Sequence, residues 1–149
     1  MRKIKTISIL AIIFLFIVVG CEKKDDNETV NTQQEKEDLL CQSWQRTYLT
    51  IDSDTSYNEN WIYVREFLKD NTYILTVTRL GESGEEDETV SYNYIWRWSG
   101  NNYTDIEIQR STNTDKWSLY HLPKLTTSQL VLEQNRGIEG VYRFYLEPK

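Results

Sequence analysis

The chain has 149 residues, enough for one domain with one core and too few for two. It carries 23 Asp and Glu against 17 Lys and Arg; setting aside Arg2, Lys3 and Lys5 as part of a leader, the balance is 14 minus 23, or −9. A surface that acidic repels nucleic acid and anionic lipid headgroups, and no basic, aromatic stripe offsets it, so nucleic acid is not an expected partner.

The N-terminus reads as a processing segment. Arg2, Lys3 and Lys5 form a positive start, residues 7–20 an almost unbroken apolar run, and Cys21 follows at once. The run is shorter than the ~20 residues that span a bilayer, and a polar stretch succeeds it, which favours a cleaved signal over a transmembrane anchor. Val18, Gly20 and Cys21 in "VVGC" resemble the bacterial lipobox, in which the cysteine is acylated and becomes the new N-terminus. One acyl chain holds a protein only marginally, at ~0.8 kcal/mol per buried methylene, whereas two or three need no basic patch. Cys21 is therefore expected to be a lipid attachment site after a signal peptide over residues 1–20. That places the protein in the cell envelope, lipid-anchored to the outer membrane, on either its periplasmic or its outer surface.

Residues 22–38 contain one hydrophobic residue, Val30, and no aromatic. Such a segment buries too little apolar surface to offset its ordering entropy and is expected to be a disordered spacer. "CEKKDD" is similar to the lysine-and-acid tracts that follow the lipidated cysteine of surface-exposed lipoproteins. Cys41, with Cys21 acylated, has no disulfide partner and behaves as a small buried hydrophobe, in a short helical turn before the first strand.

From Trp44 the apolar residues alternate with period two. Eight strands follow, at about 44–52, 61–69, 72–80, 89–98, 103–109, 115–122, 129–134 and 138–147. Turn signals separate them, at 69–71, 81–88, 99–102 and 135–137. Eight short antiparallel strands joined by short turns form an up-and-down barrel, which removes exposed edges and leaves room for packed side chains or one small ligand. An open β-sandwich is the alternative.

The order of Trp44, the Phe67-Leu68-Lys69-Asp70-Asn71-Thr72-Tyr73 hairpin, Trp96 and Trp98, and Leu122, Leu125, Leu130 and Leu132 resembles the lipocalin-like domain of Bacteroidetes lipoproteins. The likeness covers residues 39–147 and implies a calycin-type barrel over 39–149. Gln42 stands where a glycine is expected before Trp44, and the chain ends without the helix that flanks lipocalin barrels. The resemblance also implies a basic residue from the last strand, Arg143 or Arg136, covering Trp44.

Five Trp and ten Tyr are many for one domain. Tyr92, Tyr94, Trp96 and Trp98 share a strand face and, with Trp117, are the candidate lining of a pocket for a small hydrophobic or glycan ligand. The competing reading is that these rings, Tyr120 among them, simply fill the barrel. The single histidine, His121, has no partner with zinc-site spacing, and the acidic 82–88 loop lacks the pattern of a calcium loop. Asp105 and Glu107 share a strand face about 7 Å apart, but nothing marks a cleft around them. Neither an enzyme nor a cofactor is expected. Two function classes stay open: a binding module, and a filled barrel that contacts or inhibits another envelope protein.

Overall fold

The structure, a computed structural model, describes residues 32–57, 60–110 and 116–149. The expected leader, Cys21 and the first part of the expected spacer lie outside the described residues.

The first element is a helix, α1 (Gln33–Leu40). Thr32 caps it, accepting from the Glu35 amide while the Glu35 carboxylate accepts from the Thr32 amide, a reciprocal box that satisfies two otherwise orphaned donors. The spacer reading therefore stops too late, because residues 33–38 are helical. A two-turn helix does not hold itself together in water; tertiary contacts hold this one. Leu40 is fully buried, Lys36 Nζ donates to the carbonyls of Asn102 and Tyr103, Tyr103 Oη donates to Gln33, and Asp38 pairs with Lys69 at 2.6 Å.

Nine strands follow: β1 (Ser43–Ile51), β2 (Asp54–Ser56), β3 (Trp61–Phe67), β4 (Thr72–Leu80), β5 (Glu86–Trp98), β6 (Asp105–Arg110), β7 (Trp117–Leu125), β8 (Leu130–Asn135) and β9 (Val141–Pro148). Each of β3 to β8 pairs antiparallel with the next, and β9 returns to β1, which closes an eight-stranded barrel and excludes the sandwich. The short β2 folds back on the end of β1 and was not expected. β1 therefore changes partners on one edge. It pairs with β3 through Ser43, Trp44 and Gln45, and with β2 from Leu49 onward, with a bulge between Arg46 and Tyr48 against β9.

Other boundaries move for local reasons. β6 starts at Asp105 because Tyr103 takes a left-handed φ of 51°, and β9 starts at Val141 because Gly137–Glu139 forms a 3-10 turn. β7 runs on past Pro123, which sits where the register with β8 shifts between His121 and Lys124, so its missing N–H removes no ladder bond.

The core lies at the end of the barrel covered by α1. Trp44, Phe67, Trp96, Ile106, Leu130 and Leu146 are buried there, with Trp96 edge-on to Phe67 at 5.9 Å. Trp44 Nε1 donates to the Leu40 carbonyl at 3.0 Å, tying the floor to the helix. No arginine of the last strands covers Trp44. Arg143 stands across from Thr50 and bonds Glu133 on the outer face, while Arg136 lies over the Tyr142 ring. Among the described residues no helix is long and apolar enough to cross a membrane.

Candidate functional site

Inward positions follow the alternation along each strand. From the packed floor towards the far end, β3 presents Phe67, then Arg65, then Tyr63; β4 presents Tyr73, then Leu75; β5 presents Trp96, then Tyr94. On β9 Leu146 gives way to Phe144, and on β1 Trp44 gives way to Arg46. Above the floor the side chains do not fill the barrel. They enclose a cavity of about 400 Å³, lined also by Ile108, Lys116, Ser118, Tyr120 and Arg136. That volume falls within the range of small-molecule sites.

The charge of the lining is unexpected in so acidic a chain. Arg46, Arg65, Lys116 and Arg136 face the space, and among the described residues no Asp or Glu does. Arg65 is the deepest, only 6% exposed. Its Nη1 donates to Tyr73 Oη at 2.5 Å and its guanidinium carbon lies 4.5 Å from the centre of the Phe144 ring. Its Nε is buried with no acceptor. Burying a guanidinium without a counter-charge costs several kcal/mol even after relaxation, and an unmade bond adds to that.

Arg46 stacks on Tyr63, with 3.6 Å from its guanidinium carbon to the ring centre. Burial lowers its pKa, the Tyr63 hydroxyl opposes that shift, and the nearby Arg65 charge lowers it further. Burial pushes the Tyr73 hydroxyl up to about 12, with Arg65 working against the shift, so Tyr73 stays protonated. The arrangement is a tyrosine-walled cup with a fixed positive field at its depth.

The residues singled out from sequence are dispersed. Tyr94 lines the cavity. Trp96 lies beneath it in the floor, its Nε1 donating to the Leu68 carbonyl, and Trp98 packs edge-on against Trp96 and Tyr103. Tyr92, further along the same face, is 38% exposed and does not line the space. Trp117 is out of phase with the lining residues Ser118 and Tyr120; it sits on the outer surface beneath the Arg97 guanidinium. Cys21 lies outside the described residues.

His121 Nδ1 lies 2.8 Å from Asp105 Oδ1, and Glu107 accepts from Arg97, so both strand-face carboxylates bind their cross-strand neighbours on the outer face. Asp87 of the acidic hairpin bonds Arg79. Burial, reinforced by Glu37, pushes the Cys41 thiol up to about 11, so it stays a thiol at neutral pH.

Sequence reasoning missed the cations. The signal was present in "WIYVREF", where Arg65 is in phase with Phe67 and Tyr63, and in "WQR", where Arg46 is in phase with Trp44. A charge in the apolar phase of a strand marks an inward charge.

No family model matches the chain, and no curated protein does. Among solved structures it is similar to the crystal structure of a lipocalin-like protein from Bacteroides uniformis, with 14% identity and a TM-score of 0.50 over 74% of this chain and 98% of that one. At that identity the likeness concerns the fold alone: an eight-stranded, closed, lipocalin-like barrel.

Proposed function

We propose that this protein is a non-enzymatic binding module, tethered to the envelope through acylated Cys21, whose barrel takes one small organic ligand. The observation that carries the reading is the cavity of about 400 Å³ above a sealed floor, walled by Tyr63, Tyr73, Tyr94 and Tyr120. A filled barrel working through its rim would have no use for such a space, so the cavity favours binding over the interaction reading. The lipobox at Val18 to Cys21 supports the tether and the outer-membrane location. The positions of Cys41 and His121, one a high-pKa thiol and the other held to Asp105 on the outer face, support a role without catalysis.

Two experiments test this. Saturable one-to-one uptake of a small aromatic fluorophore is expected, and Ser118→Trp, which fills the cavity from its wall, is expected to abolish it while the circular dichroism spectrum is kept. Uptake that survives Ser118→Trp places binding elsewhere and ends the reading. Radiolabelled palmitate is expected to enter the wild-type chain in cells and not Cys21→Ser; equal labelling removes the tether.

A further inference from the structure

The charge of the cavity lining says more about a ligand than its volume does. We infer that its ligand is a small organic anion, a carboxylate or sulfonate head on an apolar body, with the head held by Arg65 and Arg46. This rests on the binding reading of the same cavity.

Three observations converge. First, the four cations of the lining face no carboxylate among the described residues, although acidic side chains outnumber basic ones in the chain. Elsewhere on the barrel arginines have found acids: Arg79 with Asp87, Arg97 with Glu107, Arg143 with Glu133. The inward ones have not.

Second, Arg65 is more than nine-tenths buried and has a buried Nε–H with no acceptor. Tyr73 occupies Nη1, on the side away from Nε. The opposite edge, Nε with Nη2, is the one on which guanidinium takes a planar oxyanion through two parallel N–H···O bonds. Buried donors in native structures are rarely left unpaired, and this one belongs to a side chain that lines the cavity. Third, Arg46 lines the same space as Arg65, two residues along β1 from the position paired with it, and the Arg65 charge lowers the Arg46 pKa, an arrangement that an anion between them relieves.

The rest of the lining sets the body of the ligand. Leu75, Ile108 and Phe144 supply apolar contact, and the tyrosine rings accept a flat or aromatic frame. An inorganic oxyanion would leave most of about 400 Å³ unfilled.

The test uses residues 21–149 with Cys21→Ser, which hold every described element. The probes are 8-anilino-1-naphthalenesulfonate and N-phenyl-1-naphthylamine, the same ring system with and without its anionic group. The sulfonate is expected to bind more tightly by about tenfold to a hundredfold, the worth of one or two charge-assisted hydrogen bonds. Arg65→Met and Arg46→Met are each expected to remove most of that preference while uptake of the neutral dye is unchanged or stronger. Arg65→Lys, which keeps the charge without the two-donor edge, falls between, and Arg97→Gln on the outer face changes nothing. Millimolar sulfate is expected to compete weakly. Should Arg65→Met fail to fold, Arg46→Met carries the test. Equal affinity for the two dyes overturns the inference and leaves the binding reading standing. A preference that survives both methionine variants also overturns it. Uptake of neither dye ends the binding reading and this inference together.

Discussion

Arg65 and Tyr73 form a two-residue polar unit where the apolar floor meets the cavity, and the two do not carry equal weight. Removing the tyrosine hydroxyl strands Nη1 in addition to Nε, so Tyr73→Phe is expected to destabilise by about 1–3 kcal/mol in urea unfolding. Removing both polar partners strands nothing. The double variant Arg65→Met/Tyr73→Phe is therefore expected to be at least as stable as the parent, since apolar replacement of buried charged groups is often neutral or stabilising. A double variant less stable than Tyr73→Phe would show that Arg65 contributes to folding rather than to a ligand. Alternation along β3 made the inward arginine legible in sequence. Its significance was not, because the lining comes from strands distant in the chain, and only closure brings Arg46, Arg65, Lys116 and Arg136 to one space.

At the scale of elements, all eight expected strands start and end within three residues of their expected bounds, and the barrel closes as their number implied. The alternation in "VSYNYIWRW" and the hairpin at Asp70 and Asn71 carry that legibility, the latter with Asn71 at φ 70° as a tight turn requires. What escaped was β2 and the body of α1, of which only a short turn before the first strand was expected. The helix has a polar body and only Leu39 and Leu40 as apolar residues, so composition hid it, although Thr32-x-x-Glu35 is a capping signature. β2 is three exposed residues with no pattern at all. Its turn matters nonetheless. Asp52, at φ 53°, donates its amide to the Val141 carbonyl and accepts from the Val141 amide through Oδ1, and a Cβ on Gly140 would sit 2.7 Å from Asp52 Oδ2. With Gly140 at φ +93°, Gly140→Ala is expected to cost about 1–3 kcal/mol and to lower the melting temperature. An unchanged melting temperature would mean the β1–β9 closure does not need this turn.

The whole molecule sets its sign of charge by depth, acidic outside and basic within. It also has a defined response to alkali. The folded-state pKa values of Cys41 and Tyr73 lie above their ordinary 9.0 and 10.0, at about 11 and about 12, both mainly through burial. A raised value means the folded chain holds the proton more tightly than the unfolded chain does. Stability from these groups is full below pH 9 and is lost as pH climbs towards 12. Melting temperatures are expected to fall across that window, and less steeply in Cys41→Ala; a flat profile would contradict the burial of both groups.

The helix on the floor also gives the barrel a direction. α1 covers the end where Trp44 and Phe67 pack, and the chain continues N-terminally from Thr32 at that same end. Any attachment at Cys21 is eleven residues away (32 − 21), a reach of at most roughly 40 Å when fully extended. Under the proposed acylation of Cys21, the tether joins the barrel at its helix-covered end, on the far side of the packed floor from the cationic cavity.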